Sequence, residues 1–331
     1  MRRTIFAGAL SIATIISAIA AQAQELTVYS GRGESFAGPI FKIFEEQTGI
    51  KIKARYGSTA ELSALLKEEG AKSPADVFLA QDAGALIENR PLFADAPKAL
   101  SEAVLPRFRS NDPKWLATSG RARTLVYSKE RVKSDQLPKS VFDLTKPEWT
   151  GKVGYAPKNA SFQAFLTALR VQEGEEKAKA FVKGLVDNGA KTYANNVAIV
   201  QAIADGEIDA GLVNSYYLTR FVARDAKVPV AQTFFDKGDI GNLLFVSGAG
   251  IVETSKNKAD AAKLLDFFLS PAVQQHFASA IGEYPVVKGV IPNPTLTGPL
   301  ATPTDYAPKV PLEKLGDVNA TKKLLTELGL L

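Results

Sequence analysis

Hydrophobic and polar positions along this chain switch repeatedly between a period of two and a period near 3.6, and each switch marks a change between strand and helix. LTVYS (26–30) reads as a strand, followed by a tight GRG turn and a helix through Pro39, IFKIFEEQ, closed by Gly49. IKIKARY (50–56) alternates as a half-buried strand does. Ser58-Thr59-Ala60-Glu61 has the spacing of a capping box and opens the helix ELSALLKEEG. The strand ADVFLA (75–80) and the helix DAGALIENR follow.

The same alternation restarts after the strand ARTLVYS (122–128) and runs through KVGYAP, FQAFLTALRVQEG, EKAKAFVKGLVDNG, VAIVQAIADG, IDAGLV and YYLTRFV. A later apolar strand, NLLFVSGAGIV (242–252), leads into KADAAKLLDFFLS and, past Pro271, AVQQHFASAIG. The proline-rich stretch from Val286 to Pro311 reads as an irregular crossing segment before a last helix, TKKLLTELG. Strands alternating with helices at this spacing predict an α/β architecture around parallel sheet, and two such series in tandem predict two lobes. The crossing strands ARTLVYS and NLLFVSGAGIV make the lobes discontinuous: 24–124 with 246–296, and 125–245 with 297–331.

Composition narrows what such lobes can do. At 331 residues, 46% hydrophobic and 23% charged, the chain has the balance of a globular protein with room for two cores. It has no cysteine, which excludes disulfides, thiolate metal sites and a cysteine nucleophile, and its single histidine, His276, excludes any site needing two. Residues 1–23 read as a secretory signal peptide: a positive start at Arg2 and Arg3, an apolar run, and Ala21-Gln22-Ala23 before a cut at Gln24. The mature protein is therefore expected to be exported and soluble, and mildly basic, since losing the two leader arginines takes the formal charge from +5 to +3. The charges alternate in sign along the helices, which argues against a nucleic-acid partner.

Several chemistries fall away. His276 lies in a helix and no GxSxG occurs, so a serine hydrolase is unsupported. The GRG turn lacks the third glycine of a dinucleotide fingerprint, and no P-loop lysine follows it. Glutamate pairs at 45–46, 68–69 and 175–176 sit on lysine-rich helices and read as solvated faces. The turn Ser30-Gly31-Arg32-Gly33 joins a strand end to a helix start, where free backbone N–H groups and a forked guanidinium suit an anion. The loop Lys158-Asn159-Ala160-Ser161 is likewise small and polar at a second helix start, a second candidate anion loop. Tyr216 and Tyr217 follow a strand end, with Asn214 and Ser215 as capping types, so both fall in a first helical turn, roughly 100° apart, and can converge on one point. As phenolates they would suit a hard trivalent cation such as Fe³⁺, and as neutral phenols they would suit packing or an interface.

LTVYSGRGES, SPADVFLAQ, TSGRARTLVYS, TGKVGYAP, GEIDAGLVNSYY and GEYP occur in an order and spacing that resemble the periplasmic ferric-ion-binding proteins, the iron-capturing components of ABC importers. The resemblance covers nearly the whole mature chain. It implies a two-lobed type II periplasmic-binding-protein fold, α/β, whose hinge strands let it close on Fe³⁺ and a synergistic anion such as carbonate, phosphate or citrate. By resemblance Tyr216 and Tyr217 are the metal ligands; Arg32, Arg123, Asn159, Ala160 and Ser161 bind the anion; and Asn196, Asn214, Gln81 and Asp82 stand behind them. One branch of the family carries a histidine ligand at the position of Gly33 and a carboxylate ligand at that of Gln81, and another a tyrosine at that of Phe162. Two protein ligands are thus matched, with Asp82 as a candidate substitute carboxylate. The partners implied are an inner-membrane ABC permease and ferric iron, taken up by a monomeric binding protein that is not an enzyme. The same scaffold also suits an oxyanion, phosphonate or sugar-phosphate receptor.

Overall fold

The computed structural model describes residues 24–311 and 314–331, and the leader expected over 1–23 lies outside them. In chain order the strands are β1 (Glu25–Ser30), β2 (Lys51–Tyr56), β3 (Val77–Ala80), β4 (Leu116–Ser128), β5 (Val153–Tyr155), β6 (Lys191–Thr192), β7 (Ala210–Asn214), β8 (Val230–Thr233) and β9 (Leu244–Ile251). They run β2-β1-β3-β9-β4-β7-β5-β6 across the molecule, with β8 also on β4. The pairs β1/β2, β1/β3, β5/β6 and β5/β7 are parallel, as helical crossovers demand. Every pairing made by β4 and β9 is antiparallel.

β4 joins the two halves. Over 13 residues it spans about 40 Å. Its first part, Leu116 to Ala122, pairs with β9, and its second, from Arg123 to Ser128, pairs with β7 and β8. A register shift between Ala117 and Ser119 marks a bulge, after which regular alternation puts Ser119, Arg121 and Arg123 on one face. The strand is longer than the sequence reading of 122–128. Thr118, Ser119 and Gly120 have turn-like composition, and pairing with β9 overrides it.

The helices are α1 (Glu34–Thr48), α2 (Thr59–Glu69), α3 (Ala83–Glu88), α4 (Lys98–Ala103), α5 (Ala160–Glu173), α6 (Glu175–Asp187), α7 (Asn196–Ala204), α8 (Tyr216–Arg224), α9 (Lys258–Leu269), α10 (Pro271–His276), α11 (Pro303–Tyr306) and α12 (Val318–Glu327). The capping box read at Ser58 forms: its hydroxyl accepts from Glu61 N at 3.2 Å while the Glu61 carboxylate accepts from Ser58 N at 3.0 Å. α1 ends on Gly49 at φ 74°, a left-handed conformation that only glycine adopts cheaply. A second apolar cluster, built on Val126, Ile199, Ile203, Val213 and Leu218, lies under α7, β7 and α8, with Tyr217 packed against it. It fixes the position of α8.

Gly248 shows how tightly the crossing strands are packed. It pairs with Ala80 of β3 and Ala117 of β4, and a Cβ added there would stand 2.5 Å from the Leu116 carbonyl oxygen and 2.6 Å from Leu86 Cδ1. Gly248→Ala is expected to push β9 off β4 and to cost about 1–3 kcal/mol. Urea denaturation of the two proteins checks this.

Candidate metal and anion site

β7 ends at Asn214 and α8 begins at Tyr216, so Ser215 alone makes the turn. Its backbone N–H donates to the Ala122 carbonyl at 2.9 Å, which pins the start of α8 to β4 between Arg121 and Arg123. Ser215 does not cap the helix: its backbone is already helical and its hydroxyl has no partner. The tyrosine rings stack with centroids 4.3 Å apart and planes 29° apart. Tyr216 is buried and Tyr217 half-buried. Burial pushes the Tyr217 phenol well above its ordinary value and Tyr216 adds to the push, while Asn196 and Arg121 oppose it.

Arg123 lies behind the pair as the hub of a polar network. Its Nη1 donates to Asn214 Oδ1 at 2.9 Å, Ser161 Oγ at 3.3 Å and Asn196 Oδ1 at 3.4 Å, and its Nη2 donates to the Leu212 carbonyl at 2.9 Å. Asn159 Oδ1 accepts from Ser161 N at 3.0 Å, from Ser161 Oγ at 2.6 Å and from Asn196 Nδ2 at 3.3 Å, fixing the start of α5. All these partners are neutral. Burial therefore pulls the guanidinium down to about 9, with the two phenols opposing, and it stays cationic at neutral pH. Asn159, Ser161, Asn196 and Asn214 are thus brought together around one buried charge.

Arg32 is placed differently. Its Nη2 donates to Glu283 Oε1 at 2.9 Å and its Nη1 to Glu283 Oε2 at 3.4 Å and to the Ser247 hydroxyl. The guanidinium lies 3.4 Å from the centre of the Phe36 ring. Ser119 Oγ donates to the same carboxylate at 2.5 Å. Ser119 and Ser247 sit opposite each other on β4 and β9, so the ion pair rests on both crossing strands. Gln81, Asp82 and Ala160 line one cavity of about 360 Å³ between α2, α3, α5 and α12. Within it Asp82 accepts from Ala85 N at 3.1 Å as the cap of α3, and burial pushes its carboxyl up. Gly33 faces open space, and Phe162 is buried against Tyr155 and Phe165.

Residues 71–305 match the family of bacterial extracellular solute-binding proteins. The major ferric iron-binding protein of Neisseria meningitidis serogroup A is 33% identical over 100% of this chain and 98% of its own length. The chain belongs to the periplasmic ferric-ion-binding proteins. The Fe(3+)-binding periplasmic protein of Serratia marcescens is 32% identical, covering 98% of this chain and 97% of that one. Iron-bound HitA from Pseudomonas aeruginosa superposes with a TM-score of 0.84 at 31% identity, covering 92% of this chain and 99% of that one. The Trichodesmium protein IdiA (FutA), in complex with iron and citrate, gives 0.82 at 30% identity, covering 93% and 100%. The two-lobed α/β fold expected from the sequence is that of this family.

Two residues of the ferric-binding fold escaped the sequence reading. Arg121 is 1% exposed, its guanidinium sits 4.9 Å from the Phe245 ring centre, and its Nε has no partner. Among the described residues it makes no ion pair, although it lies near enough to Asp82, Arg32 and Tyr217 to act on all three electrostatically. The signal was present, since Arg121 and Arg123 are two apart in a strand and so share a face. Glu283 is fully buried, and only the fold joins it to Arg32, 251 residues away.

Removing one member of a buried pair strands the other. Glu283→Ala is expected to cost about 3–5 kcal/mol in urea denaturation, and the double variant Arg32→Met with Glu283→Leu much less, because it leaves no unpaired charge.

Proposed function

We propose that this chain captures ferric iron in the periplasm through the phenolates of Tyr216 and Tyr217, together with an oxyanion, and delivers it to an inner-membrane ABC permease. The observation that carries this reading is the stacked tyrosine pair set among buried arginines. Among the described residues no group of three or more His, Cys, Asp or Glu side chains could hold a metal. Hard anionic donors must then come from the phenols and from an anion brought with the iron. Each phenol is a weak acid, and burial makes Tyr217 weaker still, so only a strongly polarising cation can displace its proton. That favours Fe³⁺ over divalent ions.

The anion follows from charge. Glu283 balances Arg32, whereas Arg121 and Arg123 have no carboxylate partner. Fe³⁺ with two phenolates adds a further positive charge, so the cleft calls for an oxyanion carrying about two to three negative charges, as carbonate, phosphate and citrate do. In this reading Arg121 receives it with the start of α5, where the Ala160 backbone N–H stands at the positive end of a 14-residue helix and the Ser161 N–H is taken by the Asn159 cap. Arg123 holds that loop in place. The lobes, 24–124 with 246–296 and 125–245 with 297–331, close over the iron about β4 and β9.

Tyr216→Phe with Tyr217→Phe keeps both rings and deletes both donor oxygens. The double variant is expected to fold, to lose the visible charge-transfer band of ferric tyrosinate and to lose ferric affinity. A colourless wild type that binds a sugar phosphate tightly would instead make the chain an oxyanion receptor.

Loading at neutral pH is expected to release about two protons per iron from the phenols, so affinity falls on acidification. A pH-stat titration checks the release. Arg121→Gln is expected to weaken iron binding in carbonate or citrate buffer at least about tenfold, the worth of one charge-assisted contact. Isothermal titration in the two buffers measures the loss.

A further inference from the structure

Arg220 lies one turn beyond Tyr216 on α8, exposed to solvent, and has no function in the arrangement described above. Its guanidinium carbon is 5.5 Å from the centre of the Tyr216 ring and 5.8 Å from that of Tyr217, so it spans the outer side of the stack. Other arginines near the pair are deeply buried: Arg32 on the loop after β1, and Arg121 and Arg123 on β4. The carboxylate of Glu283 is already held by Arg32 and Ser119. Arg220 forms no ion pair with any described residue. An exposed guanidinium held over two rings, with its hydrogen-bonding edge unspent, is a receptor for a carboxylate or other oxyanion arriving from solution.

Free ferric ion hydrolyses at neutral pH, so iron reaches such a site as a complex, and chelates with hydroxycarboxylates are anionic. We propose that Arg220 is the entry contact of the site, where the carboxylates of an anionic ferric chelate dock before the metal passes to the tyrosines. This rests on the reading of Tyr216 and Tyr217 as the iron site. A cation at the rim acts chiefly on encounter, so its signature is an association rate that falls with ionic strength.

Stopped-flow uptake of ferric citrate, followed by quenching of intrinsic fluorescence and by retention of radioactive iron, tests this without relying on colour. Arg220→Gln is expected to slow association by about two- to tenfold at low salt and to flatten its dependence on ionic strength. Arg220→Lys should recover the salt dependence, because it restores the charge without the fork. Arg224→Gln, the same charge change one turn further along α8, should behave as wild type. A role confined to packing the rings would shift thermal stability and leave the salt dependence of the rate intact. The proposal is overturned if Arg220→Gln takes up ferric citrate at the wild-type rate and salt dependence, if Arg224→Gln is slowed equally, or if the wild type takes up none. A wild type that takes up iron without any visible band would overturn the tyrosinate reading alone, and the rate comparison would still decide the role of Arg220.

Discussion

Buried positive charge is the constraint around which this molecule is organised. Arg32, Arg121 and Arg123 are almost wholly withdrawn from solvent, and the cleft supplies one buried carboxylate for the three, Glu283. A buried guanidinium keeps its charge only if its surroundings replace the water it has lost. Each finds a different replacement. Arg32 has a bidentate carboxylate, Arg123 has a ring of amide, hydroxyl and carbonyl oxygens, and Arg121 has an aromatic face with an unpartnered Nε. The treatment is unequal: only Arg32 is balanced by a carboxylate, and the Nε atoms of both Arg121 and Arg123 are without a partner.

The strand that carries two of those charges also joins the lobes. Alternation along β4 places Ser119, Arg121 and Arg123 in a row, and each faces a different cross-strand partner: Ser247, Phe245 and Asn214. The first two partners lie on β9, and the third is the last residue of β7, directly before the turn into the tyrosines. The side-chain partners of Arg123 all belong to β7, α5 and α7, whereas its backbone N–H donates to the Leu243 carbonyl directly before β9 and the Arg121 side chain lies over Phe245 of β9. Arg121, Arg123 and the crossing between the lobes thus share one backbone.

Much of this was legible in the sequence, and the limits have physical causes. Alternating periods gave the α/β architecture, and the pairing of a strand end with a helix start placed Tyr216 and Tyr217 in a first turn, where they are found. Asn159 was read as part of an anion-binding loop and Asn196 and Asn214 as residues behind it, and the structure joins the three in one network around Arg123. What the sequence could not assign was the partner of each arginine. Arg32 looked like a free fork in a glycine-rich turn because Glu283 is supplied from the far end of the chain. Arg121 went unread although it stands two residues from Arg123, because local pattern shows which residues share a face and not which of them is left without a partner. β8 was missed for a similar reason: VAQT carries little strand pattern of its own and is held by pairing with β4.

Helix α8 packs directly against the GEYP turn. Thr219, one turn from Tyr216, donates its hydroxyl to the Tyr216 carbonyl at 2.6 Å, and its side chain abuts Gly282. Gly282 has φ 82°, and a Cβ there would lie 2.7 Å from Thr219 Oγ1, so both the backbone conformation and the close approach require glycine. The next residue is Glu283, the partner of Arg32, and Tyr284 after it exchanges backbone hydrogen bonds with Gly120 of β4 at 2.8 Å each way. The GEYP turn therefore touches the tyrosine helix, the buried ion pair and the crossing strand within three consecutive residues. The segment thus ties the tyrosine helix to the crossing strand, with its carboxylate spent on Arg32 and its phenol on the Leu300 carbonyl.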